Sequence, residues 1–197
     1  KVNYYLLGLE FRMKSIIVNV KIGVFCVTLV LCNTITYAYT LSDGVDIFCK
    51  VVWDGKLINV EEQYVSNESE DGWQPELGGA AAVIKYAENG YPIIVFDKNV
   101  MAGIHKKLPL QTDFIFYHEC AHVRYKSDDE FYTNCWAVVD MFADGRLDSN
   151  KFFWLEKYHL NMRLLPVKYG GAGFVFWEKT ERCLRKLDHP LVREGDS

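Results

Sequence analysis

Several things are missing from this chain, and each absence narrows what it can be. No apolar run reaches the ~20 residues that a membrane-spanning helix needs; Ile22–Cys32 is too short. There is no excess of basic residues, since 22 Lys and Arg stand against 26 Asp and Glu, and with no basic patch nucleic acid is excluded as a partner. There is no internal repeat, no low-complexity stretch and no linker long enough to divide the chain, which argues against repeat arrays and multidomain architectures. Disorder is excluded as well, because half of the 197 residues are hydrophobic and 15% are aromatic, enough for one compact domain with its own core.

Residues 1–12 contain no Met. Met13 is followed by Lys14 and Lys21, then the apolar run, then Thr36-Tyr37-Ala38. A basic stretch, a short hydrophobic stretch and a small-residue site in that order read as a signal peptide starting at Met13 and cleaved near Ala38. Residues 1–38 then fall outside the domain, which occupies 39–197. Leu31 before Cys32 is too large for a lipoprotein signal. Without Lys1, Arg12, Lys14, Lys21 and Glu10 the remaining chain has 18 basic and 25 acidic residues, a formal charge of −7. The expected location is exported, periplasmic or secreted, with no stable membrane span after cleavage.

Downstream, Ile47–Trp53 and Lys56–Val65 flank Asp54-Gly55, a strong two-residue hairpin signal. A polar loop follows over Ser66–Pro75; its Asn67-Glu68-Ser69 is a glycosylation acceptor only in a eukaryotic secretory route. Ala80–Ala87 and Tyr91–Phe96 form a second hairpin across Glu88-Asn89-Gly90. The apolar Ile93–Phe96 is either a core strand or a sheet edge along which an extended peptide adds as a further strand. Asp97–Lys107 reads as a connector with at most one helical turn. Pro109 and Thr112 open a helix that runs to about Tyr125. Further helices are expected over Asp129–Phe142, Lys151–Leu165 (stopped by Pro166) and Phe174–Leu187. Hairpins followed by helices make an α+β domain.

The most informative residues lie on the first of these helices. His118-Glu119-Cys120-Ala121-His122 spells H-E-x-x-H. Positions i and i+4 lie about 40° apart around a helix, so the two imidazoles can reach one metal ion. Glu119 is rotated away from that pair, poorly aimed as a ligand but well placed to take a proton from a water at the metal. Phe114, Ile115, Phe116, Tyr117 and Val123 flank the motif and make the helix a buried one.

A catalytic zinc usually has a third protein ligand and one open position. Asp128 stands six residues past His122, where the metzincins place a third ligand after a Gly that reverses the chain, but here that Gly position is Tyr125. Glu130 is the better candidate, though Ser127-x-x-Glu130 also reads as a capping box. Asp140, Asp144 and His159 are further candidates. With its H-E-x-x-H, the segment Asp129-Glu130-Phe131-Tyr132-Thr133-Asn134 resembles the glutamate zincins, the thermolysin-like and related metallopeptidases. The resemblance covers about 25 residues, Phe114 to Val138. It implies a small zincin-like fold, with an active-site helix and a second helix supplying Glu130 as ligand. Asn134, where these families place an acidic residue and the ImmA/IrrE-like peptidases an Asn, would orient the first His.

Four cysteines follow the leader: Cys49, Cys120, Cys135 and Cys183. An even number in an exported chain suggests two disulfides, with three connectivities open. A helix pair hinged near residues 127–128 sets Cys120 and Cys135 level, so the preferred pairing is Cys120–Cys135, leaving Cys49–Cys183. The expected function is zinc-dependent hydrolysis of a peptide or protein substrate, with Glu119 as general base. Tyr158, His159 and Arg163 are candidates for oxyanion support. The alternatives are a non-catalytic binding or structural protein, and a zinc amidase acting on a cell-envelope component.

Overall fold

A computed structural model describes residues 38–66 and 81–193. Apart from Ala38, the expected signal peptide lies outside the described residues, as does most of the expected Ser66–Pro75 loop. The described chain begins with β1 (Tyr39–Thr40), paired antiparallel to β2 (Asp46–Ile47). Asp54 and Gly55 both take positive φ, 47° and 74°, the backbone that a two-residue hairpin turn requires. They fold β3 (Lys50–Trp53) onto β4 (Lys56–Asn59), with Lys50 opposite Asn59 and Trp53 opposite Lys56.

The expected strand Lys56–Val65 is split. Val60 is buried, and its N–H donates to the Cys49 carbonyl at 2.8 Å, closing the first ladder. β5 (Glu61–Val65) then joins a different sheet, parallel to β7 (Pro92–Asp97), while β6 (Ala82–Tyr86) lies antiparallel on the other side of β7. The order β5-β7-β6 makes β7 the central strand. Ile94, Val95 and Phe96 are all buried, as a strand covered on both faces should be. Ile93–Phe96 is therefore not the open edge. Among the described residues the free edges are β5 and β6.

Asp97 ends β7 and at once caps a helix, accepting from the backbone N–H groups of Asn99 and Val100 at 2.9 and 3.0 Å. The segment expected to be a connector is thus a helix, α1 (Lys98–Lys107), with His105, Lys106 and Lys107 in its last turn where the helix dipole favours them. α2 (Pro109–Tyr125) spans the expected residues and packs against α1, β3, β6, β7, α3 and α4. It is the central element of the fold. α3 (Glu130–Ala143) also falls where expected. α4 (Ser149–Leu160) ends earlier than expected. A 3-10 turn over Val167–Tyr169 precedes α5 (Gly173–Lys186) and α6 (Pro190–Arg193). A Cβ on Gly173 would stand 1.9 Å from the His159 carbonyl oxygen, so only glycine permits this approach of α5 to α4.

Two disulfides are present, but not in the expected pairing. Cys49 is joined to Cys120, and Cys135 to Cys183. Two cysteines level along paired helices need not face each other. Cys120 faces β3 and Cys135 faces α5, so each bridge ties an outer element to the α2–α3 pair. The α+β class holds, and the two bridges fit an oxidising compartment. No helix among the described residues is long and apolar enough to cross a membrane.

Candidate metal centre

The helical repeat brings the two imidazoles of α2 together, with His118 Nε2 and His122 Nε2 3.1 Å apart. Lys126 then leaves the helix in the left-handed region, φ 50° and ψ 49°, and reverses the chain without a glycine. The Ser127 carbonyl created by that reversal accepts from His122 Nδ1 at 2.6 Å. This bond leaves His122 Nε2 as the free lone pair, aimed at His118. No sequence signal marks a backbone carbonyl as the outer partner.

Two residues later Asp129 caps α3, accepting from the N–H groups of Phe131 and Tyr132 at 2.9 and 3.1 Å. With Asp129 in that place, Glu130 is the first helical residue rather than the closing member of a capping box. Its Oε2 lies 3.0 Å from His118 Nε2 and 3.4 Å from His122 Nε2. Donors about 2.0–2.1 Å from one tetrahedral ion stand roughly 3.4 Å from one another. The three observed separations are close to that, and the donor set of two imidazoles and one carboxylate suits such an ion. His118, His122 and Glu130 form a group that could hold a metal ion.

Lys168, from the 3-10 turn, places Nζ 2.6 Å from Glu130 Oε1. It thereby occupies one carboxylate oxygen and leaves the other facing the histidines. Lys168 comes 38 residues after Glu130 and carries no local signal of this role. Burial pushes the Glu130 carboxyl up, but His118, His122 and Lys168 outweigh it and hold the group well below the usual carboxylate range. Glu119 is 7% exposed. Burial raises its carboxyl, with partial relief from the two histidines. For His122, burial pulls down, while Glu130 and Glu119 raise it to a net upward shift.

Asn134 is buried, but its amide donates to Thr180 Oγ1 on α5 rather than serving His118. Its Oδ1 and His118 Nδ1 are both buried without a hydrogen-bond partner among the described residues. The expected Asn134–His118 support is therefore not formed; the contact with α5 decides how the amide is oriented. Asp140 is taken up by Arg124 at 2.6 Å and the Tyr125 hydroxyl at 3.1 Å, and Asp144 accepts from the Tyr117 hydroxyl at 2.9 Å. His159 is a core residue: Nδ1 donates to the Leu155 carbonyl at 2.8 Å, its ring stacks on Trp177 at 4.8 Å, and burial holds it down to about 4. Asp128 lines the cavity beside the cluster without joining it. Arg163 is exposed, and neither it nor Tyr158 lines that cavity.

The cavity has a volume of about 360 Å³. Its lining includes Trp53 and residues Ala82–Ile84 and Tyr86 of β6, together with Glu119, His122, Glu130 and Lys168. His122 and Glu130 of the cluster, the Glu119 carboxyl and residues of the edge strand β6 thus line one cavity. Comparison with known proteins finds no matching family model, curated sequence or solved structure.

Proposed function

We propose that this protein is an exported zinc-dependent hydrolase of peptide bonds, with His118, His122 and Glu130 as the zinc ligands. The observation that carries the proposal is the triangle of Nε2, Nε2 and Oε2 atoms at 3.0–3.4 Å, with the Glu119 carboxyl beside it on the same cavity. Zinc in such a site supplies Lewis acidity, toward water and toward a carbonyl oxygen. The chain's own residues do the rest. Glu119 accepts a proton from the attacking water and returns it to the leaving amine. The Ser127 carbonyl holds His122 in the tautomer with a free Nε2, and Lys168 turns Glu130 so that one oxygen faces the histidines. An extended substrate would add to β6 through backbone hydrogen bonds, which brings its carbonyl past Glu119.

The Lys168–Glu130 ion pair also favours a second reading, a binding or structural protein in which the lysine takes the cation's place. Metal analysis of the purified exported protein separates the two. We expect about one zinc per chain, lost in His118→Ala. Glu119→Gln should keep the zinc while hydrolysis of a casein substrate falls by roughly 10²–10⁴-fold. A folded protein that binds no zinc would remove the hydrolase proposal in favour of the second reading.

A further inference from the structure

α4 buries one side and leaves an apolar stripe on the other. Phe152, Leu155 and His159 are its buried residues, where it packs on α5 and α2. From Lys151 to Leu160 the exposed positions are Lys151, Phe153, Trp154, Lys157 and Leu160, with no carboxylate among them. Phe153, Trp154 and Leu160 are 44%, 56% and 48% exposed. Phe153, Lys157 and Leu160 are spaced four and three residues apart, so they stand one above another on a single helix face. The Phe153 and Trp154 rings lie 5.9 Å apart. Lys157 Nζ is 4.3 Å from the centre of the first and 5.8 Å from that of the second.

The loop that leaves Leu160 continues this character. It is closed at its base, where the Gly173 N–H donates to the Met162 carbonyl at 2.9 Å and the Leu165 N–H to the Gly171 carbonyl at 3.1 Å. Leu164 and Val167 are 88% and 91% exposed, the highest values for large apolar residues among the described residues. Over residues 151–168, Lys151, Lys157, Arg163 and Lys168 stand against a single acid, the half-buried Glu156, in a chain of formal net charge −4. Lys168 is held by Glu130; the other three cations accompany the stripe. Exposed apolar residues scattered singly are ordinary, but a run of them bordered by cations marks an interaction site.

Charge decides which partner fits. A second copy docked by two-fold symmetry would set the middle of the stripe against itself and bring two Lys157 side chains together, which like charges resist. An anionic lipid surface suits both halves of the pattern. Its phosphates take the lysines and Arg163, and the boundary between headgroups and acyl chains takes Trp154, Phe153 and the leucines. The remainder of the molecule is acidic and is repelled by such a surface, so this face leads. We propose that the outer face of α4, with Leu164 and Val167 of the following loop, docks onto anionic lipid membranes. No helix among the described residues is long and apolar enough to cross a bilayer. Docking needs none, because α4, about 18 Å long, lies in the plane of the interface while Lys157 extends along the rings to the phosphates. This holds whether or not the metal centre hydrolyses anything.

The test is co-sedimentation of the full chain with vesicles of phosphatidylcholine alone, or of equal parts phosphatidylcholine and phosphatidylglycerol. Partitioning should be at least about tenfold stronger on the anionic vesicles at low salt, and should fall as salt rises. Lys157→Glu and Trp154→Ser, both at exposed positions, should each weaken it about tenfold. Leu57→Ser, at a 73% exposed apolar site on β4, should leave it unchanged. Lipids brominated on the acyl chains should quench the protein's fluorescence. Trp154→Phe should remove most of that quenching while binding persists, which reads this face whatever the remainder of the chain contributes. Equal partitioning on both vesicles, binding unchanged in both weakening variants, or quenching that survives Trp154→Phe would overturn the proposal. So would a dimer that Trp154→Ser dissociates in analytical ultracentrifugation, which would assign the face to a second copy.

Discussion

Glu130 and Glu62 are the same side chain, both largely removed from water, yet they ionise in opposite directions. Glu130 has two imidazoles and an ammonium within 3.4 Å and is driven well below the usual range. Glu62 has only the Tyr64 phenol at 3.5 Å and is pushed up to about 8 by burial. The desolvation penalty acts on both; the hydrogen-bond donors and charges in contact with the carboxyl decide the sign. The comparison also separates two kinds of buried acid. One sits in a cluster that offers its free oxygen to a further cation. The other is a buried acid whose Oε1 has no hydrogen-bond partner among the described residues.

The largest effect should come from dismantling the Glu130 side. Glu130→Gln removes the proposed anionic ligand, and zinc affinity measured by chelator competition should fall by more than the roughly 10–100-fold that loss of an outer partner costs. Unchanged affinity would mean that the carboxylate serves only Lys168.

The Glu62 side should show itself in pH dependence. Burial raises the folded value of Glu62 to about 8, against about 4.3 in the unfolded chain. A raised folded pKa adds stability in full below the unfolded value, and this is lost as pH rises through the folded one. Stability to urea should thus weaken between about pH 4.3 and 8, at up to about 1.4 kcal/mol per pH unit. Glu62→Gln should lack that slope. The same slope in both proteins would show that Glu62 is not its source.

The smallest effect is expected at Lys168, whose side chain is 55% exposed. Lys168→Met should change stability by less than about 1 kcal/mol, as exposed ion pairs do. Zinc affinity should rise slightly, because Nζ no longer competes for the Glu130 carboxylate. A marked fall would instead make the lysine part of the site's support.

Much of this could be anticipated residue by residue. Asp54-Gly55, Pro109 and the His118/His122 spacing each act within a few residues, and the structure places all of them as expected. The segment Asp97–Lys107 reads as a connector because it lacks a regular apolar period, yet Asp97 ends β7 and caps α1. Asn134 differs from expectation for another reason. Its amide answers to Thr180, which lies 46 positions away.

The sequence by itself determined the local units: the turns, the span of α2, the pair of imidazoles on one face, the even cysteine count. Backbone sterics and helical periodicity set these over short distances, whatever surrounds them. Only the tertiary structure decided that β7 is central, that Cys49 meets Cys120 and Cys135 meets Cys183, that Lys168 reaches Glu130, and that Tyr39 stacks on Phe116. Each of these joins chain segments far apart in sequence. Their proximity follows from how whole faces pack around α2, and no short pattern of residues encodes it.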